Sequence, residues 1–247
     1  TNLNEIVIRG YDKFFNINEM PDTNLDVIQN RFIYPLTVYK KENGFLGLLG
    51  YDKESDSILY ASKSELNGKY SRYFKDIILS YITEEELYKI IKDSNRTFVF
   101  EVIDVKNDPH IVKYKNSCLY LLDIIHNTPN FTTDSYERVK EMARILCVEP
   151  KERVKIIETK EEFLAFVKEA SSSKYTYNGK GIEGFIIEDS NRKMVKLKTE
   201  YYNYWKFMRS QVEQIELGRS EKIETKFLNW YKDNRKELRG KSIIELR

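Results

Sequence analysis

The sequence predicts an α+β fold of mostly antiparallel sheets with flanking helices and a small helical segment at its C-terminal end. Three observations predict it. Short runs rich in β-branched and aromatic residues cover residues 57–62, 97–105 and 194–198, each next to turn residues. Apolar residues recur at three- and four-residue spacing over 68–80, 134–146 and 159–170. From Glu200 onward the pattern is helical and rich in Tyr, Trp and Arg.

Taken in order, Glu5-Ile6-Val7-Ile8 reads as a short strand, followed by a polar-aromatic loop over 9–19. Two adjacent phenylalanines, Phe14 and Phe15, sit there among Lys13, Asn16 and Glu19. An apolar run over 32–39 then enters Lys40-Lys41-Glu42-Asn43-Gly44, and a second apolar run leaves it. Asn-Gly is a strong hairpin signal, so one reading is a turn with two solvated lysines. The other is a lysine at the mouth of a buried sheet, where a depressed pKa would make it a nucleophilic amine.

The next strand, 57–62, ends in Ser62-Lys63-Ser64 and leads to the helix over 68–80. Thr83 and Glu86 form a capping box that opens a helix over 84–92. The strand over 97–105 carries Glu101 among apolar residues, which is costly unless the carboxylate has a partner. His110 and His126 are the only histidines; His110 precedes Ile111 to Tyr114 and is either a site residue or a structural one. A strand over 119–125 and helices over 134–146 and 159–170 follow. Residues 182–187 read as a strand, and 194–198 as its neighbour with Lys196 and Lys198 on one face. A last helix is expected over 220–236.

The 247 residues can build a sizeable core at 41% hydrophobic content, and fifteen Pro plus Gly argue against long disordered tracts. The net charge of +2 says little, but residues 192–247 hold fifteen Lys/Arg against eight Asp/Glu. That surplus is what a polyanion footprint looks like, although a solvated helical region carries the same. Cys118 and Cys147 lack metal-site spacing and read as buried thiols in a reducing compartment. No apolar run approaches the roughly 20 residues of a membrane span, no signal peptide is visible, and no membrane association is expected. A start at Thr1 without methionine suits an excised domain or a processed product.

The unusual positions are Lys41 at a sheet turn, Glu101 and Glu183 in or beside strands, and Lys196 and Lys198 in another. Around one cleft they suit nucleotidyl transfer. Lys196 and Lys198 would neutralise a polyphosphate and depress the Lys41 pKa, and the carboxylates would take a ribose hydroxyl or a divalent metal.

In this order, Lys41-Glu42-Asn43-Gly44, Phe100-Glu101-Val102, Glu183-Gly184-Phe185 and Val195-Lys196-Leu197-Lys198 resemble the covalent nucleotidyltransferase superfamily of ligases and mRNA capping enzymes. Lys13-Phe14-Phe15-Asn16-Ile17-Asn18-Glu19 is similar to a loop of the tRNA-repair RNA ligases, of phage type or from fungal tRNA ligases. Arg9-Gly10-Tyr11-Asp12 resembles the fungal type, and Ser62-Lys63 matches that branch. The resemblance covers about residues 6–205.

The resemblance implies an ATP-grasp-like nucleotidyltransferase core over 1–199 and a helical, RNA-facing segment over 200–247. It implies an ATP-dependent RNA ligase, or the ligase domain of a larger RNA-repair enzyme, acting through lysyl-AMP with ATP and Mg²⁺ or Mn²⁺. Lys41 would be the nucleophile, with Lys196 and Lys198 on the α-phosphate. Lys13, Glu42, Asn43, Lys63, Glu101 and Glu183 would bind nucleotide or phosphates, and Glu183 and Glu101 would serve the metal. The implied partners are RNA with 5′-phosphate and 3′-hydroxyl ends, such as broken tRNA, and an end-healing kinase or phosphatase in cis or trans. The implied location is cytoplasmic, or nuclear for the fungal type.

Three features depart from the family pattern. Asn43 replaces the commoner Asp, the phage type's upstream Arg-Gly strand has no counterpart unless Arg9 covers it, and the 49 residues after Lys198 read as helical, without room for the OB domain of DNA ligases and capping enzymes. Alternatives are a capping-type guanylyltransferase, disfavoured by the missing OB domain, and a non-catalytic RNA- or nucleotide-binding module.

Overall fold

Two β-sheets face one another, and helices cover the outer side of each. The computed structural model describes residues 5–219, 221 and 223–238. The strands are β1 (Leu36–Lys41), β2 (Phe45–Asp52), β3 (Ser57–Ser62), β4 (Arg96–Ile103), β5 (Cys118–His126), β6 (Glu149–Pro150), β7 (Arg153–Ile157), β8 (Gly184–Glu188) and β9 (Met194–Lys198). The helices are α1 (Leu25–Arg31), α2 (Lys69–Ile78), α3 (Glu84–Ile91), α4 (Tyr136–Ile145), α5 (Lys160–Ala170), α6 (Glu200–Glu216) and α7 (Thr225–Leu238). The first sheet runs β7-β1-β8-β9 and the second β3-β2-β4-β5-β6. All pairings are antiparallel except the short β5–β6 contact.

Alternation along the strands decides what each face meets. Val38, Phe185, Ile187, Val195 and Leu197 point outward from the first sheet into a core shared with α1 and α5. Phe98, Phe100 and Val102 point outward from the second sheet into a core with residues of α2, α3 and α4, including Phe74, Leu87 and Val139. The opposite faces look into the space between the sheets. The predicted capping box is present, with Thr83 accepting from the Glu86 amide at 3.2 Å.

Asn43-Gly44 is not a hairpin turn. β1 pairs with β7 and β8, whereas β2 pairs with β3 and β4, so the turn carries the chain from one sheet to the other. Gly44 is required by proximity: a Cβ there would stand 2.1 Å from the Val102 carbonyl oxygen. Gly44→Ala therefore forces the turn away from β4 at the start of β2, and a loss of about 2 kcal/mol or more is expected in denaturant unfolding.

Residues 5–15 form no strand, contrary to the expectation for 5–8; they run as a strap tied down largely by side chains. Asn127 Nδ2 donates to the Val7 carbonyl at 2.8 Å, and the Arg9 amide donates to Thr97 Oγ1 at 3.0 Å. The strap ends in a bridge to β9, where Ile17 N–H donates to the Lys196 carbonyl at 2.9 Å. β4 stops at Ile103 rather than 105, because the Asp104 carboxylate caps the amides of Lys106 and Asn107 at 3.1 and 3.0 Å. Neither thiol is buried, contrary to expectation: Cys147 is exposed and Cys118 half-buried, and both are free.

A buried polar network joins the sheets at the end away from Gly44. Asp123 of β5 accepts from Tyr11 Oη at 2.5 Å and from Lys151 Nζ at 2.8 Å. Lys151 lies 3.9 Å from Glu188 of β8, which pairs with Arg192 at 2.5 Å. The Lys151 ammonium also sits 4.3 Å from the centre of the Tyr39 ring.

Candidate active site

The first sheet sets three lysines on its inner face. Lys41 stands opposite Gly184, and Gly184 opposite Lys198, so the two lysines flank one glycine across three strands. Lys196 lies opposite Ile186, two residues along on the same face. Gly184 has φ +155°, and a Cβ there would meet the Leu197 carbonyl oxygen at 2.0 Å, so glycine lets the strands close beneath the lysines.

Carboxylates reach Lys41 from both sheets. Its Nζ is 3.1 Å from Glu183 Oε1 and 3.3 Å from the Glu42 carbonyl oxygen. Glu101, on β4 of the second sheet, accepts the Gly44 amide on Oε1 at 2.7 Å. Both carboxylates are buried, at 8% exposure for Glu101 and 4% for Glu183. Burial pushes the Lys41 ammonium down, but Glu101 and Glu183 together outweigh it and hold its pKa above the ordinary lysine value. This corrects the expectation that Lys196 and Lys198 would depress it; the anionic groups next to Lys41 dominate. Glu101 is itself raised, by burial first and then by Glu183, against the pull of Lys41.

The depressed lysines are the other two. Burial lowers Lys196, and its neighbours Lys41, Lys198 and Lys63 add to the effect. Lys198 is lowered by burial and by Lys206 and Lys41, against Glu183, whose Oε1 lies 4.0 Å away. Lys196 is aimed by the strap: its Nζ donates to the Phe14 carbonyl at 3.0 Å and sits 4.4 Å from the centre of the Phe14 ring. Lys198 lies 5.2 Å from the ring centre of Tyr202, a buried residue in the first turn of α6. Thr199 caps that helix and accepts the Tyr202 amide at 3.3 Å, while its own amide donates to the Glu183 carbonyl at 3.0 Å.

The turn after Lys41 is held by the amide and both side-chain polar atoms of Asn43. Its amide donates to Tyr114 Oη at 2.8 Å, its Nδ2 to Glu183 Oε2 at 2.8 Å, and its Oδ1 accepts the Val112 amide at 3.0 Å. An aspartate here would face Glu183 with a second negative charge, so the Asn fits the carboxylate it touches.

The expected residues thus divide. Lys41, Asn43, Glu101, Glu183, Lys196 and Lys198 converge. The Glu42 side chain is turned away from them, onto Lys40 at 2.7 Å and Tyr114 Oη at 2.8 Å. Lys13 and Lys63 are exposed; Lys13 lies 4.9 Å from the Phe15 ring centre, and Lys63 is close enough to act on Lys196. Arg9 is taken up elsewhere, pairing with Asp12 at 2.6 Å and donating to the Thr128 carbonyl. His110 pairs with Asp108 at 3.0 Å, and burial lowers its pKa. Lys40, Tyr114 and Tyr202 were not anticipated. Each is one of many aromatic or basic residues in the chain, and no spacing marks it.

The chain is 31% identical over 200 residues to tRNA ligase 1 of Schizosaccharomyces pombe, covering 74% of this chain and 24% of that protein. It is 26% identical over 216 residues to tRNA ligase of Candida albicans, covering 75% and 26%. It therefore spans about a quarter of the length of these curated relatives. Among solved structures, a mutant of Naegleria gruberi RNA ligase with ATP and Mn superposes with a TM-score of 0.58 at 16% identity, covering 82% of this chain and 61% of that one. That likeness establishes a shared fold. The model of the RNA ligase family matches residues 1–202, which take in the strap, both sheets, the Lys41 turn and the first turn of α6, and the chain belongs to that family.

Proposed function

We propose that this chain is the adenylyltransferase unit of an ATP-dependent RNA ligase, with Lys41 as nucleophile. The observation that carries the reading is Lys41 held between two buried carboxylates and in line with Lys198 across Gly184. As a free amine, Lys41 attacks the α-phosphorus of ATP; an N–P bond forms, the P–O bond to pyrophosphate breaks, and pyrophosphate leaves with the electron pair. Lys196 and Lys198 stabilise charge developing on the phosphate oxygens. An RNA 5′-phosphate oxygen then takes the AMP and releases the lysine, and an RNA 3′-hydroxyl displaces AMP to join the strands.

The proton of Lys41 must leave first, and Glu183 Oε1 at 3.1 Å is the nearest base. Because the carboxylates hold the Lys41 pKa up, adduct formation should rise with pH through neutrality into the alkaline range. Glu183→Gln removes one of those carboxylates and should move the rise to lower pH. Stopped time courses of adduct formation between pH 6 and 10 would measure this; an unchanged rise in the variant would contradict it.

Among the described residues no cluster of three or more acidic, His or Cys side chains forms a closed metal cage. Magnesium commonly needs only one or two carboxylates beside substrate phosphates, and Glu183 and Glu101 would provide them. An ion held there would supply positive charge against the polyphosphate. On this reading Glu101 contacts the nucleotide ribose, and Lys13 and Lys63 contact phosphates of the nucleotide or RNA.

The segment 200–247 is read as the RNA-facing part. Tyr204 and Phe207 on α6 and Trp230 on α7 are exposed, at 55%, 52% and 39%, within the stretch that carries the basic surplus. The names of the fungal relatives favour broken tRNA as substrate, with end-healing kinase or phosphatase activity in the same or another chain. No helix among the described residues is long and apolar enough to cross a membrane, and a cytoplasmic or nuclear location fits this reading. Joining of 5′-phosphate, 3′-hydroxyl RNA with ATP but not GTP tests the function; an adduct with GTP alone would favour a capping-type enzyme.

A further inference from the structure

We propose that Tyr114 is a positioning residue for adenylylation, its hydroxyl fixing the turn that presents Lys41. The proposal rests on the ligase reading above and deepens it. Tyr114 lies in the connection between β4 and β5, far from Lys41 in sequence, and its Oη meets the turn twice. It accepts the Asn43 amide at 2.8 Å and donates to Glu42 Oε2 at 2.8 Å. One oxygen therefore satisfies a backbone donor and a carboxylate acceptor at the two residues immediately after Lys41. Its proton stays in place, because burial and then the Glu42 carboxylate push the phenol pKa well above its ordinary value.

The same connection grips the turn a second time through the Val112 amide, which donates to Asn43 Oδ1 at 3.0 Å. With its backbone amide and Oδ1 held from this side, Asn43 has its Nδ2 directed at Glu183 Oε2 at 2.8 Å, and Glu183 Oε1 meets Lys41 at 3.1 Å. A chain of contacts therefore runs from Tyr114 through Asn43 and Glu183 to the nucleophile. Glu42 is almost fully buried, and without the phenol it keeps only Lys40 at 2.7 Å as a partner. Removing the hydroxyl leaves one buried amide unsatisfied and one buried carboxylate under-satisfied, so the turn must shift to rehydrate them. A displacement of even 1 Å at the lysine costs in-line geometry with the α-phosphorus.

The roles of the two chemical steps make this separable from a general loss of fold. Adduct formation needs Lys41 placed as a nucleophile, whereas sealing of RNA that already carries 5′-AMP does not. Tyr114→Phe should slow lysyl-AMP formation at saturating ATP by roughly tenfold or more, with a smaller change in the KM for ATP. Sealing of pre-adenylylated RNA should stay within about twofold of the parent, since the nucleophile is bypassed. Tyr88→Phe is the control: it removes a hydroxyl that donates to Asp56 at 2.6 Å, between β2 and β3 at the far end of β2 from the turn, and should leave both steps unchanged. Equal adduct rates for Tyr114→Phe and the parent would overturn the proposal. So would parallel losses in both steps, which would make Tyr114 a folding residue only. A parent that forms no adduct at all would instead remove the ligase reading on which the proposal stands.

Discussion

A Lys41→Arg enzyme is expected to lose lysyl-AMP formation by about a thousandfold or more, while still sealing pre-adenylylated RNA. Arginine keeps the positive charge between Glu101 and Glu183, so the two buried carboxylates stay compensated and the protein should fold. It does not deprotonate at accessible pH, and it offers no amine to attack phosphorus. The substitution thus separates the charge of position 41 from its nucleophilicity. Lys41→Ala does not: it leaves Glu183 without its 3.1 Å partner and mixes an electrostatic defect with the chemical one. Retained adduct formation in Lys41→Arg would move the nucleophile to another lysine, and Lys196 and Lys198 would be the next to change.

The second large effect falls on stability. Lys151 is 6% exposed and is the cation shared by Asp123 of β5 and Glu188 of β8, so one side chain ties the two sheets together. Lys151→Ala strands Asp123, itself 3% exposed, with only the Tyr11 hydroxyl as a side-chain partner. Breaking a buried ion pair from one side typically costs about 3–5 kcal/mol, which is a large fraction of the stability of a domain. Lys151→Met should do somewhat better, because it fills the space and keeps a contact with the Tyr39 ring. Urea unfolding of both variants measures the difference. A cost below about 1 kcal/mol for Lys151→Ala would mean that water reaches the network and that it does not hold the sheets.

The pattern of what was legible in the sequence follows the physics of each element. β9 was readable because Lys196 and Lys198 alternate with Val195 and Leu197, and the register places both lysines on one face as period two requires. Glu101 stood out because a carboxylate in an apolar strand needs a partner, and it has Gly44 and Lys41. β7 left little signal: it is an edge strand, and of Arg153–Ile157 only Ile157 is buried. α1 was missed for a related reason, since it is seven residues long and buries only Ile28 fully. Asn43-Gly44 misled because the dipeptide reports local turn propensity, and whether two strands then pair or part is decided by long-range contacts. The pKa of Lys41 went the other way from expectation on the same grounds. Sequence lists the cations and the carboxylates, but only the fold shows that Glu183 pairs with Lys41 at 3.1 Å and that the charge of Glu101 also bears on it. Tyr114 and Lys151 act across long sequence separations, so nothing near them in the chain marks their partners.

The measurement that tests the central claim most directly is the intact mass of the protein after incubation with ATP and magnesium, followed by pyrophosphate. The protein should gain the mass of one AMP, carried on the peptide containing Lys41, and pyrophosphate should remove it by reversing the first step. Preparations that arrive already adenylylated would show the same loss on pyrophosphate treatment before ATP is added. If neither ATP addition nor pyrophosphate changes the mass, Lys41 is not a nucleotidyl acceptor and the proposed reaction is contradicted.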